Sequence, residues 1–130
     1  MSTPHRTHSP GFLALVNDAK SRVQQIGIAG YAALPRGEHL LIDVREDHEW
    51  AAGHAAGALH LSKGIIERDI ETRVPDKSAK LVLYCGGGYR SALVAEALGK
   101  MGYTGAISLD GGWRAWKEAG LPVAQEGERP

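Results

Sequence analysis

Apolar residues recur along this chain in two rhythms. Phe12, Leu15, Val16, Ala19, Val23 and Ile26 fall at intervals that gather one apolar face on a helix, and Ser9-Pro10 suits an N-cap followed by a first helical turn. The spacing predicts an amphipathic helix over 12–26, ended by Gly27. Residues 28–36 show no clear period; a short helix there rests on Tyr31, Ala32, Ala33 and Leu34 alone, before a turn at Pro35, Arg36 and Gly37. From residue 40 the rhythm changes. Short apolar runs at 40–44 (LLIDV), 58–62 (ALHLS), 80–85 (KLVLYC) and 106–110 (AISLD) predict strands, with helices expected over 47–52, 64–73, 91–100 and 112–119. Strand and helix alternating through short Gly-rich joints predict an α/β fold: a mainly parallel central sheet with helices on both faces, plus the extra N-terminal amphipathic helix. Residues 1–10 lack periodicity and are expected to form a flexible arm, and 126–130 a polar tail.

Composition narrows the classes of function. A chain of 130 residues, 43% hydrophobic, suits one domain. Fifteen Lys and Arg balance fifteen Asp and Glu, which leaves no basic footprint for nucleic acid and no polybasic patch for an anionic membrane. No apolar run approaches the roughly 18 residues of a membrane-spanning helix, and the polar N-terminus lacks the apolar core of a signal peptide. A cytoplasmic protein is expected.

The single cysteine, Cys85, cannot form an intramolecular disulfide or a cysteine-based zinc site alone. It closes the most hydrophobic of the predicted strands, where the crevice of an open parallel sheet lies. Gly86, Gly87 and Gly88 follow, then Tyr89, Arg90 and Ser91 at the start of a predicted helix. Successive glycines let several N–H groups turn toward one point, and a helix N-terminus with an arginine adds positive potential. Such a cradle favours an anion, and the anion can be the Cys85 thiolate itself. A buried filler role is the alternative, but this setting is costly for packing alone. The loop lacks the GK[ST] and GxGxxG of nucleotide sites, and the spacing of His48, His54 and His60 matches no zinc motif. No cofactor and no metal is implied. Trp113 and Trp116, three apart, read as core.

Four ordered motifs then resemble the single-domain rhodanese sulfurtransferases over about residues 38–123. They are Leu41 to Glu46 (LIDVRE); Glu49-Trp50 with Gly53-His54 and Gly57-Ala58; Cys85, Gly88 and Arg90 in a C-x-x-G-x-R loop; and Gly111-Gly112-Trp113 with Trp116. The resemblance implies a single rhodanese-like domain over 38–123, with an arm at 1–10, a helical extension at 11–37 and a tail at 124–130. It implies that the Cys85 thiolate takes a sulfane sulfur from thiosulfate or a persulfide and passes it to cyanide or a thiol. It also implies that Gly86, Gly87, Gly88, Tyr89 and Arg90 bind substrate, while Ser91, Asp43 and Arg45 support the loop. With no second cysteine, the acceptor comes from outside the chain.

Two departures from the family pattern stand out. Gly86 and Gly87 occupy positions where similar enzymes often carry Arg, Lys or His, which makes thiosulfate a poor expected donor. Ala55-Ala56 replaces a common Ile-Pro. A catalytically weak binding or scaffolding module is one alternative. A phosphatase of the same fold is another, although such loops place five residues between cysteine and arginine and this one places four. The N-terminal helix could pack on its own domain, on a second copy or on another protein.

Overall fold

Along Lys80–Tyr84, side chains alternate between two apolar clusters. Leu81, Leu83 and then Cys85 turn into one, while Val82 and Tyr84 turn into the other. A strand buried on both faces needs cover on both, and helices supply it. The structure is a computed structural model and describes residues 8–125. Its elements are α1 (Pro10–Lys20), β1 (Gln24–Ile26), α2 (Ile28–Ala32), β2 (Leu40–Asp43), α3 (Asp47–Ala52), β3 (His54–Ala55), β4 (Leu59–His60), α4 (Ile66–Arg73), β5 (Lys80–Tyr84), α5 (Tyr89–Lys100), β6 (Gly105–Leu109), α6 (Gly112–Glu118) and β7 (Val123–Ala124).

Five strands form a parallel sheet in the order β1-β6-β5-β2-β4. The first face packs Ile66 and Ile70 of α4 and Val94, Ala95 and Leu98 of α5 against the sheet, with α1 lying on α5 through buried Val16 and Ala19. The second face packs Trp116 of α6, with Ile28 and Tyr31 of α2, around Leu41, Val82, Tyr84 and Leu109. This is the expected α/β architecture with helices on both faces. Strand β5 lies at the centre, so its carboxyl end opens between the first turns of α5 and α6.

Several expected boundaries shift. The N-terminal helix ends at Lys20, where the Ser21 hydroxyl donates to the Asp18 carbonyl (2.6 Å) and the chain turns. Residues 24–26, expected as its last turn, form β1 instead, paired with Ile107 to Leu109. Val23 packs on the first cluster and Ile26 on the second. One apolar helix face cannot serve two opposite cores, whereas an edge strand can. The expected division between extension and domain at 37/38 therefore leaves one strand of the sheet on the wrong side. Ala124, expected in the tail, pairs with His54 in a two-residue antiparallel ribbon, β3 with β7. The strand expected over 58–62 is limited to β4, and α5 begins at Tyr89 rather than Ser91. Nearly all of the expected N-terminal arm and the polar tail at 126–130 lie outside the described residues. Among the described residues, no helix is long and apolar enough to cross a membrane.

Candidate active site

The chain leaves β5 at Cys85 and turns through Gly86 and Gly87 into Gly88, the N-cap of α5, which holds a left-handed φ of 101°. A Cβ there would stand 3.3 Å from the Asp110 Cα and the Gly111 nitrogen in addition to the backbone strain. Of the three loop glycines only Gly88 has positive φ, so the cradle depends on one special backbone position rather than three. From this turn the Gly88 N–H donates to Cys85 Sγ at 3.2 Å and the Ser91 N–H donates at 3.3 Å. Both belong to the N-terminus of α5, where backbone donors lack helical partners and the dipole is positive. Cys85 is 1% exposed.

A second helix end holds the loop from beneath. The Trp113 N–H donates to the Cys85 carbonyl (2.7 Å) and the Arg114 N–H to the Gly86 carbonyl (3.2 Å). This close approach explains Gly111-Gly112: Gly112 has φ 48°, and a Cβ on it would run into the Cys85 carbonyl oxygen.

Arg90, in the first turn of α5, is gripped by Glu49 of α3. Its Nη1 donates to Oε1 at 2.7 Å and its Nη2 to Oε2 at 3.1 Å, a bidentate pair half-sheltered from water. Glu49 is itself held by a capping box, accepting from the Glu46 N–H at 3.1 Å. The Arg90 guanidinium keeps the Glu49 carboxyl at about 2, well under its ordinary value of 4.5. Because the folded state lowers this value, the pair's stabilisation is present above the ordinary carboxylate range and is lost as pH falls toward 2. The clamp is therefore intact throughout pH 5–8. The bond to Glu49, and after it the nearby Cys85 sulfur, raise Arg90 above its usual range.

Asp43 and Arg45, expected to support the loop, share no hydrogen bond or ion pair with residues 86–91 among the described residues. They form a buried ion pair at 2.9 Å, with side chains 0% and 4% exposed. Asp43 also accepts from the Arg45 N–H (2.8 Å) and the Tyr84 hydroxyl (2.7 Å), and the Tyr84 oxygen accepts from the Ala55 N–H (3.0 Å). Arg45 donates to the Gly53 carbonyl and lies over the Trp113 ring, 4.8 Å from its centroid. The network grips Tyr84, adjacent to Cys85, and Trp113, whose N–H holds the Cys85 carbonyl, so its support passes through these two residues. Burial, and then Asp43, push the Tyr84 hydroxyl far above its ordinary range, which keeps it a donor.

With this geometry in view, the match to a known family is direct. Residues 30–119 match the model of the rhodanese-like domain. The chain belongs to the rhodanese-like domain family. Among curated relatives, the uncharacterized protein slr1261 of Synechocystis sp. is 36% identical over 92 residues, covering 70% of this chain and 50% of that protein. YtwF of Bacillus subtilis, named as a candidate sulfurtransferase, is 39% identical over 80 residues, covering 62% of this chain and 75% of the relative. The rhodanese-like chain thus spans about half the length of the Synechocystis relative.

Among solved structures, the homodimeric polysulfide-sulfur transferase of Wolinella succinogenes superposes with a TM-score of 0.74 at 27% identity, covering 92% of this chain and 90% of that one. A Rhodopseudomonas palustris protein of unknown function, described as a possible tyrosine phosphatase, gives a TM-score of 0.78 at 28% identity, covering 94% of this chain and all of the other.

The rhodanese-like loop brings Cys85, Gly88, Arg90 and Ser91 together. It does not bring Tyr89 in with them. That ring lies against the N-terminal segment, 4.6 Å from His8 and 6.3 Å from Phe12 by centroid, under the Lys20 ammonium. Glu49 was legible only as part of a motif, with nothing in its spacing to pair it with Arg90. Lys63, absent from the expected site, lines a crevice of about 640 Å³ beside the loop, together with Val44, Glu46, Asp47, Ser62 and Arg90. Its position after β4, at the carboxyl end of a sheet strand, is the signal that could have found it.

Proposed function

We propose that the protein is a sulfurtransferase that carries one sulfur atom as a Cys85 persulfide. The observation that carries this reading is the reactive sulfur buried at the end of β5, receiving two N–H donors from the α5 terminus. In the first step the Cys85 thiolate attacks the outer sulfur of R–S–S⁻ or of thiosulfate. A new S–S bond forms, the old one breaks, and the thiolate or sulfite leaves with the electron pair. In the second step an external thiolate or cyanide attacks the outer sulfur and Cys85 leaves as thiolate. No net redox change occurs and no cofactor is needed. The names of YtwF and of the Wolinella protein support the same chemistry. The test is intact mass: incubation with a persulfide donor adds one sulfur atom, which cyanide removes, and a chain that never gains that mass refutes the proposal.

The likeness to the Rhodopseudomonas protein gives a second reading, phosphate monoester hydrolysis. It fits less well, because four residues rather than five separate Cys85 from Arg90, and the short loop turns two N–H groups onto Sγ itself. Turnover of an aryl phosphate that depends on Cys85 would favour it.

Arg90 is assigned to holding the loop, through Glu49. Arg90→Ala and Glu49→Ala are each expected to slow sulfur loading about ten- to a hundred-fold, the cost of a charge-assisted hydrogen bond. The double variant should be little worse than either alone, since both remove one interaction. Additive losses measured by stopped-flow loading would dissolve the clamp.

Thiosulfate is expected to be a poor donor. Lys63 and Arg90 share the crevice with the carboxylates of Glu46 and Asp47, and Arg90 is already paired with Glu49, so a dianion gains little. A Cβ at Gly86 would stand 3.3 Å from Arg90 Nη2 and press on the clamp, whereas Gly87 has no neighbour within 4 Å. Gly87→Lys is expected to lower the thiosulfate KM by roughly ten-fold while leaving a singly charged persulfide donor nearly unaffected. Equal changes for both donors would remove charge as the cause.

A further inference from the structure

Beneath the reactive sulfur lies a pair of buried hydroxyls. Ser91 Oγ stands 3.5 Å from Cys85 Sγ and 2.8 Å from Ser108 Oγ, and both serines are 0% exposed. Ser108 is on β6, next to β5 in the sheet, and among the described residues its hydroxyl has Ser91 as its only partner. Counting hydrogens distinguishes the two states of the sulfur.

With a thiol, three hydrogens share two contacts, so one ends without an acceptor: that of Ser108 when the chain runs S–H to Ser91 to Ser108, that of the sulfur when it runs the other way. With a thiolate, one order uses every hydrogen: Ser108 donates to Ser91, and Ser91 donates to Sγ. A buried donor left unpaired is costly, and hydrogen bonds to an anion are stronger than those between neutral groups. Both effects favour the anion once the thiol proton has passed to solvent.

We infer that Ser108 is a positioning residue that orients the Ser91 hydroxyl toward Cys85 and thereby stabilises the sulfur anion alongside the N–H groups of Gly88 and Ser91. The inference rests on Cys85 being the reacting thiolate. The charged groups around the sulfur are Arg90 from α5, its partner Glu49 from α3, Asp110 from the β6–α6 turn, and the Asp43–Arg45 pair after β2. None is altered by a change at Ser108.

The experiment compares Ser108→Thr with Ser108→Val, two side chains of one shape that differ in the hydroxyl. The pH profile of Cys85 alkylation by a neutral reagent, iodoacetamide, reports the thiolate and requires no sulfur donor. Failure here is therefore separable from failure of the sulfur-transfer reading, which the mass of the sulfur-loaded chain tests. Ser108→Val is expected to move the midpoint of the profile up by about one pH unit, a ten-fold loss of thiolate below that midpoint. Ser108→Thr should retain the wild-type profile. If the valine variant does not fold, the smaller Ser108→Ala carries the same expectation. A profile unchanged in the hydroxyl-free variants, or moved equally by threonine and valine, overturns the inference.

Discussion

Cys85→Ser is expected to abolish sulfur loading and to reduce transfer by roughly a thousand-fold or more, the scale seen when an enzyme loses its nucleophile. The variant keeps the size of the side chain and its ability to accept from Gly88 and Ser91, so the fold should survive. What disappears is the chemistry. A serine hydroxyl is scarcely ionised at neutral pH, and oxygen cannot serve as the inner sulfur of a persulfide. Because Cys85 is the only cysteine in the chain, no neighbour can substitute for it. Intact mass after incubation with a persulfide donor, alongside a cyanide-coupled transfer assay, gives the answer directly. Transfer that persists in the serine variant would exclude the persulfide mechanism.

The second large effect concerns stability. Asp43→Ala is expected to cost about 3–5 kcal/mol, because it leaves Arg45 charged and buried with its carboxylate gone. Asp43 accepts from the Arg45 backbone N–H, from Arg45 Nε and Nη2 and from the Tyr84 hydroxyl, so one truncation removes the acceptor of four donors. Against a total stability of about 5–15 kcal/mol for a domain of ordinary size, the loss approaches unfolding. Urea denaturation of wild type and variant measures it. A loss under about 1 kcal/mol would mean that the pair contributes little to the folded state and that Tyr84 and Trp113 are placed by packing alone. The same experiment bears on the site, since Tyr84 precedes the nucleophile and Trp113 grips its carbonyl.

Much of this was legible along the chain. The central strands were, because β2 and β5 are apolar on both faces and bounded by turn residues. Helix α3 was legible to the residue, its end marked by Gly53, while the capping box of Glu46 and Glu49 that secures its start was found in the structure. Strand β1 was not, since Val23 and Ile26 also fit a helical period and only pairing with β6 decides between the two. The ribbon of β3 and β7 was hidden for a similar reason: two residues carry no period, and their partners lie some seventy positions apart. Within the site, Cys85, Gly88 and Arg90 could be named from one contiguous motif, whereas Glu49, Lys63 and Ser108 reach it from three other elements.

The sequence by itself determined the α/β alternation, the place of the lone thiol at the carboxyl end of the most apolar strand, and the need for glycine where strand turns into helix. These depend on local periodicity and on backbone conformations that neighbouring residues set. The tertiary structure alone decided that Gly88 is the glycine under constraint, that Arg90 is locked to Glu49, that Tyr89 faces the N-terminal helix, and that Asp43 and Arg45 act through Tyr84 and Trp113. Each depends on groups distant in sequence meeting at hydrogen-bond range. Whether a charged or polar side chain finds such a partner is set by how helices and strands pack, which no local pattern encodes.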